Sequence, residues 1–211
     1  MKRLLLAGAL ACIFAVPSFA QDEEDEDKGF KKENLFTGGS IMLSFYSGGS
    51  MIGGTPIFGY RIANWIDAGI AFNYIYTGQR DYFQFDDKVR QSVFGPGVFT
   101  RLYPLNMIFL QGQIEHNFTR VKYIPNDGSP NQKFKTDATS LLLGGGYASG
   151  RDKYSNTFYY FSVLFDVLKD EDSPYTEIRI DPYTGARAVR MSPIFRAGIN
   201  VALFQGRYGR Y

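Results

Sequence analysis

Apolar and polar residues alternate with a period of two through most of the chain after residue 34. The clearest example is residues 66–77, where every second residue from Ile66 to Tyr76 is apolar or aromatic. The intervening residues are mostly polar or small, beginning with Asp67. Because successive side chains of a β-strand point to opposite faces, this pattern predicts strands with one apolar and one polar face.

Eight segments show this alternation: residues 35–46, 55–62, 66–77, 89–103, 107–122, 136–148, 156–168 and 187–204. Most reach the roughly 9–11 residues that a tilted membrane-spanning strand needs, and the second segment is the shortest. The links between them alternate in length. Links 63–65, 104–106 and 149–155 are short, whereas 47–54, 78–88, 123–135 and 169–186 are longer and polar. Short periplasmic turns and longer outer loops are typical of outer-membrane barrels, and this phasing places both termini in the periplasm.

The polar faces carry charged residues of both signs, which we interpret as a network lining the lumen of a barrel: Arg61, Asp67, Arg101, Glu115, Asp166 and Arg196. A barrel of about eight strands is filled by its own side chains, and charges removed from water need partners. Arg61, Asp67 and Arg101 fall near periplasmic strand ends, so we expect them to meet. We favour this structural role over a gate or proton path, and an open pore is not expected from so few strands.

Tyr and Trp residues gather near the predicted strand ends, as an interfacial girdle requires: Tyr60, Trp65, Tyr74, Tyr76, Tyr103 and Tyr147. Together with the long apolar faces, these residues favour a barrel whose apolar face contacts lipid. Such a barrel must be closed, because lipid cannot form hydrogen bonds with the backbone groups of an open strand edge. A soluble, lipocalin-like barrel with an apolar cavity is the alternative. The sequence thus predicts an all-β fold, an eight-stranded antiparallel up-and-down transmembrane β-barrel, over residues 34–211.

Residues 1–20 have the features of a Sec signal peptide: a basic start, an apolar run over residues 4–16 and a small-x-small cleavage signal at residues 18–20. The run is shorter than the roughly 20 residues of a membrane-spanning helix. Lipoprotein processing at Cys12 is a less favoured alternative. Residues 21–33 are rich in Asp, Glu and Lys and predict a disordered acidic periplasmic leader, which we favour over a docking segment.

Charge and cysteine content exclude several classes of function. Without residues 1–20, two of the 23 basic residues are lost and 21 remain, which balance the 21 acidic residues. No basic footprint for nucleic acid therefore remains, so no nucleic-acid partner is expected. The single cysteine is also removed, which excludes a disulfide scaffold, a thiol nucleophile and a cysteine metal site.

Four segments carry a resemblance to a known family: Thr-Gly-Gly-Ser at 37–40, Ile-Asp-Ala-Gly-Ile-Ala-Phe-Asn-Tyr at 66–74, residues 95–105 and Leu-Gly-Gly-Gly-Tyr at 143–147. Through them, residues 34–204 resemble the small outer-membrane β-barrel family, particularly the porin-like proteins common in Bacteroidota. The resemblance implies a fold and a location but no activity. The partners it implies are outer-membrane lipids, lipopolysaccharide and the barrel-assembly machinery, which reads a terminal aromatic residue such as Phe204 or Tyr211.

One residue raises the question of enzymatic activity. His116 is the only histidine and falls on the apolar face of its predicted strand, where a lipid-modifying enzyme would need a base. No nearby Ser or acid is expected to share that face, so we interpret His116 as an interfacial residue. No phosphate loop, dinucleotide fingerprint or metal-spaced cluster appears, so neither a cofactor nor a metal is expected.

The sequence therefore favours a non-enzymatic outer-membrane barrel with a structural, adhesive or envelope-maintenance role. Two alternatives stay open. One is a small-ligand-binding or transport-accessory barrel with a lumen site lined by Gln111, Gln113, Glu115 and Arg196. The other is a lipid-modifying enzyme that uses His116.

Overall fold

A computed structural model of the chain describes residues 30–46, 49–81, 84–151, 157–180 and 187–204. The predicted signal peptide, residues 21–29 of the predicted leader and the C-terminal residues 205–211 lie outside these ranges. A short 3-10 helix, Lys32–Asn34, precedes the first strand. The strands are β1 Leu35–Tyr46, β2 Gly49–Ala63, β3 Ile66–Arg80, β4 Lys88–Leu105, β5 Ile108–Ile124, β6 Gln132–Ser149, β7 Phe158–Asp166, β8 Thr176–Ile180, β9 Arg187–Met191 and β10 Ile194–Ala202.

Eight of these strands, β1–β7 and β10, form a closed antiparallel barrel. Strands β1 to β6 each pair with the next strand in sequence. β10 pairs with β7 and closes the ring against β1, from Phe36 opposite Ala202 to Ile41 opposite Ala197. The prediction of an all-β fold with eight antiparallel strands is confirmed.

The two ends of the barrel differ in their connections. We call one end of the barrel the turn end. There, β2 is joined to β3 by residues 64–65, β4 to β5 by residues 106–107, and β6 to β7 by residues 150–157. At the opposite end, called the loop end, the links are residues 47–48, 81–87, 125–131 and 167–193. Within the described residues, no helix is both long and apolar enough to cross a membrane.

Inward and outward side chains alternate along the barrel strands. In β5, Gln111, Gln113 and Glu115 are buried, whereas the intervening Ile114 is 50% exposed. Exposed apolar side chains continue around the outside of the barrel, as Val98 in β4 and Phe161 in β7 illustrate. The outside of the barrel is therefore apolar and much of its inside is polar, which is the reverse of a water-soluble protein.

Two predicted connections differ from the structure. β2 begins at Gly49 instead of residue 55, and it pairs with β1 from Gly49 opposite Tyr46 onward. The predicted long first loop, residues 47–54, is thus mostly strand, and β2 is not the shortest strand. The glycine-rich stretch 49–54 offers few side chains that reveal alternation, so periodicity understates strand length there.

The predicted eighth strand, residues 187–204, is two strands. Its first part, β9, pairs with β8 in a separate two-stranded sheet, and only β10 belongs to the barrel. Ser192 and Pro193 separate the two parts, and a proline has no N–H to donate to a ladder. The predicted loop 169–186 therefore contains a strand, β8, that forms a hairpin with β9.

Candidate functional site

The polar interior of the barrel is built around Glu115. Because side chains of a strand alternate, β5 projects Gln111, Gln113, Glu115 and Asn117 inward together. Gln111 Nε2 donates to Gln113 Oε1 at 3.0 Å, and Gln113 Nε2 donates to Glu115 Oε2 at 2.7 Å. Asn117 Nδ2 donates to the other carboxylate oxygen, Glu115 Oε1, at 3.0 Å. Both carboxylate oxygens therefore accept hydrogen bonds from β5 itself.

Arg196 reaches this ladder from β10, across the interior. Its Nη1 donates to Gln113 Oε1 at 3.1 Å, and its Nη2 lies 3.9 Å from Glu115 Oε2. Arg196 is 4% exposed and Glu115 is 1% exposed. A buried carboxylate is tolerable when it is both paired and hydrogen-bonded, and Glu115 meets both conditions.

The link after β7 enters the barrel at the loop end and completes this network. The Tyr175 hydroxyl donates to Glu115 Oε1 at 2.5 Å and accepts from Asn73 Nδ2 at 2.6 Å. Ser173 Oγ donates to Asp166 Oδ2 at 2.6 Å and lies 3.1 Å from Ser140 Oγ. Ser173 and Tyr175 are both buried. We call the residues that these bonds connect the central network: Asn73, Gln111, Gln113, Glu115, Asn117, Ser140, Asp166, Ser173, Tyr175 and Arg196.

A second cluster lies at the turn end around Asp67. Arg151 Nη2 is 3.3 Å from Asp67 Oδ1, and Arg61 Nε is 4.0 Å from the same atom. Arg151 Nη1 also donates to the backbone oxygen of Asn64 at 2.9 Å. The Arg151 guanidinium lies 3.5 Å from the ring centroid of Tyr103, a cation–π contact. Two arginines and one ring therefore surround a single buried carboxylate.

Arg101 occupies the interior between these two groups. Its Nε donates to Gln111 Oε1 at 2.9 Å and its Nη1 donates to Asn200 Oδ1 at 3.3 Å. Its guanidinium carbon lies 4.3 Å from the Tyr160 ring centroid and 5.2 Å from that of Phe109. Within the part of the chain that the structure describes, amides and aromatic rings contact this guanidinium and no carboxylate lies within 4.0 Å of it.

The structure places all six predicted lumen charges on the inside, but among these described residues only two pairs lie within 4.0 Å: Arg61 with Asp67, and Glu115 with Arg196. Asp166 accepts the Ser173 hydroxyl and the N–H groups of Leu141 and Leu168. No cation lies within 4.0 Å of it in the described ranges. We expected Arg101 to meet Arg61 and Asp67. In the structure, Arg101 instead donates hydrogen bonds to Gln111 and Asn200.

Sequence reasoning missed Arg151, Ser173 and Tyr175, all of which come from links between strands. Such segments have no periodicity from which an inward direction can be read. Asn73 and Asn117 share the polar parity of their strands, so the sequence predicts that they point inward, but it does not reveal their bonds to Tyr175 and Glu115.

The predicted interfacial aromatic residues divide into two groups. Trp65, Tyr74 and Tyr147 point outward and are about half exposed, and Tyr60 and Tyr76 share the outward parity of their strands. Tyr103 is the exception, and its assignment to the interface was wrong: it is 5% exposed and packs inside against Phe109 and Phe158. It lies two residues after Arg101, and strand parity therefore directs both side chains inward.

His116 lies on the outward face of β5, as predicted, and it contacts two side chains of β6. Its Nε2 is 3.5 Å from Asp137 Oδ2, and its Nδ1 is 3.0 Å from Thr139 Oγ1. Both partners come from β6, on which Thr139 is directly opposite His116. The expectation that no acid shares the face of His116 was therefore wrong, because cross-strand pairing brings Asp137 to it.

Across the described ranges, no group of three or more His, Cys, Asp or Glu side chains has an arrangement that could hold a metal ion. The polar side chains of the central network bond chiefly to one another. Chemically, the arrangement can hold the strands of the barrel in register and fill the space between them.

The closed ring and polar interior define the class of this protein: a small antiparallel β-barrel filled by its own side chains. No protein-family model and no curated protein matches its sequence. Among solved structures, the chain is similar to the N-terminal β-barrel domain of Pseudomonas aeruginosa OprF, at 12% sequence identity and a TM-score of 0.33. That match covers 80% of this chain and 95% of the OprF chain.

Proposed function

We propose that this protein is a Sec-exported outer-membrane β-barrel of a Gram-negative bacterium, with a non-enzymatic structural, adhesive or envelope-maintenance role. Lipids, lipopolysaccharide and the barrel-assembly machinery are its proposed partners. The observation that carries the proposal is the exposed apolar band on the outside of the barrel.

The height of this band matches a membrane. On β5 its outward residues include Ile108 at one edge and Phe118 at the other, and Arg120 follows. Ten residue steps of about 3.4 Å along a strand tilted by about 40° span roughly 25 Å. This is about the height of the apolar band of outer-membrane barrels. A water-soluble barrel has no physical reason to expose such a band.

The interior supports a membrane barrel over a lipocalin-like one. A lipocalin-like barrel would keep an apolar cavity inside. Here the centre holds Glu115, Arg196 and Arg101, each nearly inaccessible to solvent. Polar side chains inside and apolar ones outside are the arrangement that a lipid surrounding favours.

The same interior favours a structural role over transport. Gln111, Gln113, Glu115 and Arg196, the set considered for a ligand site, satisfy one another with hydrogen bonds. A ligand would have to replace these bonds, which costs about 1–3 kcal/mol for each buried polar group left without a partner.

Cell fractionation combined with a heat-modifiability gel tests the proposal. We expect the protein in the outer-membrane fraction, and we expect a folded band that migrates differently before and after boiling. Recovery in the periplasmic fraction with no shift on the gel would contradict the proposed location and the membrane barrel together.

The surroundings of His116 favour a second candidate function. A histidine between a hydroxyl, Thr139, and a carboxylate, Asp137, on the lipid-facing side has the residue types needed for acyl transfer. A lipid-modifying enzyme predicts that His116→Ala changes the mass spectrum of lipid A from cells that express the protein. An identical spectrum would end this second candidate.

A further inference from the structure

The outward face of the barrel changes from apolar to basic at the loop end. Arg90 on β4, Arg120 and Lys122 on β5, and Lys133 and Lys135 on β6 share the outward parity of their strands. We call these five residues the basic strip. Arg90 is directly opposite Lys122, and Lys122 is directly opposite Lys133, so three cations form one row across three strands. In the next row, Arg120 is opposite Lys135.

This arrangement is electrostatically unfavourable in the protein alone. Side chains directly opposite each other in antiparallel strands have Cβ atoms about 5 Å apart, and like charges at that spacing destabilise a sheet. In the described part of the chain, no carboxylate lies within 4.0 Å of these five cations. A bound anion would relieve the repulsion.

The nearest acids have other partners. Asp137 faces His116 at 3.5 Å on the same side of the sheet. In the link between β5 and β6, Ser129 donates its backbone N–H to Asp127 Oδ1 at 2.9 Å. The side-chain and backbone hydrogen bonds of Ser129 lower the pKa of Asp127. In the described residues, neither acid lies within 4.0 Å of a cation of the basic strip.

The basic strip begins where the apolar band ends. Phe94 and Phe118 are opposite each other at the edge of the band and are about half exposed. Arg120 is the next outward residue after Phe118, so it lies only about 7 Å further along the strand. A single molecule with acyl chains and a phosphate group would therefore meet the band and the strip together.

We propose that the basic strip binds the phosphate groups of lipopolysaccharide, whose acyl chains lie against the apolar band beneath it. The inference rests on the proposed function, because it requires the loop end to face the outer leaflet, as the longer loops of outer-membrane barrels do. Arginine offers phosphate a bidentate fork and lysine offers a compact charge. The strip supplies both, at the level where headgroup phosphates lie.

The test is a titration of lipid A into the purified full-length barrel in non-ionic detergent. The triple variant R90Q/K122Q/K133Q removes one complete row. Since each basic residue near an anionic lipid surface contributes about 1 kcal/mol, we expect its affinity for lipid A to fall by on the order of a hundredfold. The matched control K169Q/R187Q/R190Q removes the same charge from exposed positions between β7 and β10, and we expect it to bind as the wild type does.

Two further probes identify what the strip recognises. Dephosphorylated lipid A should bind the wild-type protein as weakly as intact lipid A binds the row variant. Inorganic phosphate should compete poorly, since it lacks acyl chains. Equal binding of dephosphorylated and intact lipid A, or competition by phosphate as strong as by lipid A, would overturn the proposal.

The row variant is first run on the heat-modifiability gel, and we expect the same folded band as for the wild type, because its changes are on the outside. If the row variant keeps that band and the outer-membrane location but binds lipid A within about threefold of the wild type, the basic-strip proposal fails while the proposed function stands. If the wild-type protein is found in the periplasm, the proposed function itself fails. If the row variant does not fold, the double variant R120Q/K135Q applies the same test to the second row.

Discussion

Tyr175 illustrates at the scale of one residue how the interior is held. Its hydroxyl donates to Glu115 and accepts from Asn73, so it joins β5, β3 and the link after β7 through a single oxygen atom. The Ser173 hydroxyl, two residues earlier, bonds to Asp166 at the end of β7. The loop end of the barrel is therefore closed by side chains from a segment that is not part of the barrel sheet.

We predict that Tyr175→Phe destabilises the folded barrel by about 1–3 kcal/mol. The change keeps the ring but leaves two buried polar partners, Glu115 and Asn73, each with one hydrogen bond fewer. The measurement is urea-induced unfolding in detergent, followed by the fraction of folded band on a gel. Tyr159→Phe is the matched control, because Tyr159 points outward and is 68% exposed; we expect it to change stability by less than about 0.5 kcal/mol. Equal stability of the two variants would contradict the closing role of Tyr175.

At the scale of strands, the sequence predicted faces better than it predicted boundaries. The inward positions of Arg61, Glu115 and Arg196 follow from period-two parity alone, because the pleat directs each second side chain to the same side. The long extent of β2 was hidden, since its glycine-rich start shows no alternation. The β8–β9 hairpin was hidden as well, because β8 lies within a polar link whose length suggested a loop and β9 was merged with β10 into one predicted strand.

The candidate site was predictable to the extent that it lies on barrel strands. Which inward residues bond to one another depends on the stagger of the strands and on segments that enter from outside the sheet. Arg151 and Tyr175 are the clearest cases: each contacts a predicted residue, Asp67 and Glu115 respectively, yet neither belongs to a periodic segment. The sequence alone therefore identified only one of the two residues in each contact.

Neighbouring strands in the barrel are also fitted to each other by glycines that face aromatic rings. Phe109 on β5 is fully buried, and its ring extends over Gly146 on β6. A Cβ atom at Gly146 would lie 2.3 Å from the backbone oxygen of Phe161 on β7 and 2.5 Å from Phe109 Cζ. The glycine therefore provides the space in which the ring packs with Tyr103 and Tyr160.

We predict that Gly146→Ala destabilises the barrel by about 1–3 kcal/mol, because the added methyl group collides with the backbone of β7 and with the Phe109 ring in a well-packed interior. Gly112→Ala is the control on the adjacent strand. Its Cβ would lie 3.6 Å from Leu143 Cδ2, an ordinary contact, and we expect no loss of stability. Urea unfolding midpoints of the two variants provide the comparison, and a Gly146 variant as stable as the Gly112 variant would show that the ring does not need this space.

At the scale of the whole molecule, the distribution of side chains supports the proposed lipid surrounding. The apolar band surrounds the barrel, the basic strip lies beyond one of its edges, and exposed Trp65 and Tyr147 lie toward the turn end. The charged residues of the central network and of the turn-end cluster are buried, and Glu115 and Asp67 each have an arginine within 4.0 Å. The proposed membrane across the middle of the barrel would account for all of these features.

We predict that the cost of an outward lysine depends on its height along the barrel. Leu143 on β6 is opposite Gly112, close to the middle of the band, and is 43% exposed. In lipid vesicles, Leu143→Lys should destabilise the barrel by about 2–4 kcal/mol, whereas Ser149→Lys, at the turn end of the same strand, should cost no more than about 1 kcal/mol.

The measurement is guanidinium-induced unfolding of the barrel reconstituted in phosphatidylcholine vesicles. Leu143→Gln separates the loss of the apolar side chain from the gain of a charge, and we expect it to be less destabilising than Leu143→Lys. If water surrounded the barrel, a lysine in place of an exposed leucine would be neutral or stabilising at every height. A flat profile across Leu143 and Ser149 would therefore contradict the membrane at the middle of the barrel, because only a hydrocarbon layer makes the cost of a charge depend on depth.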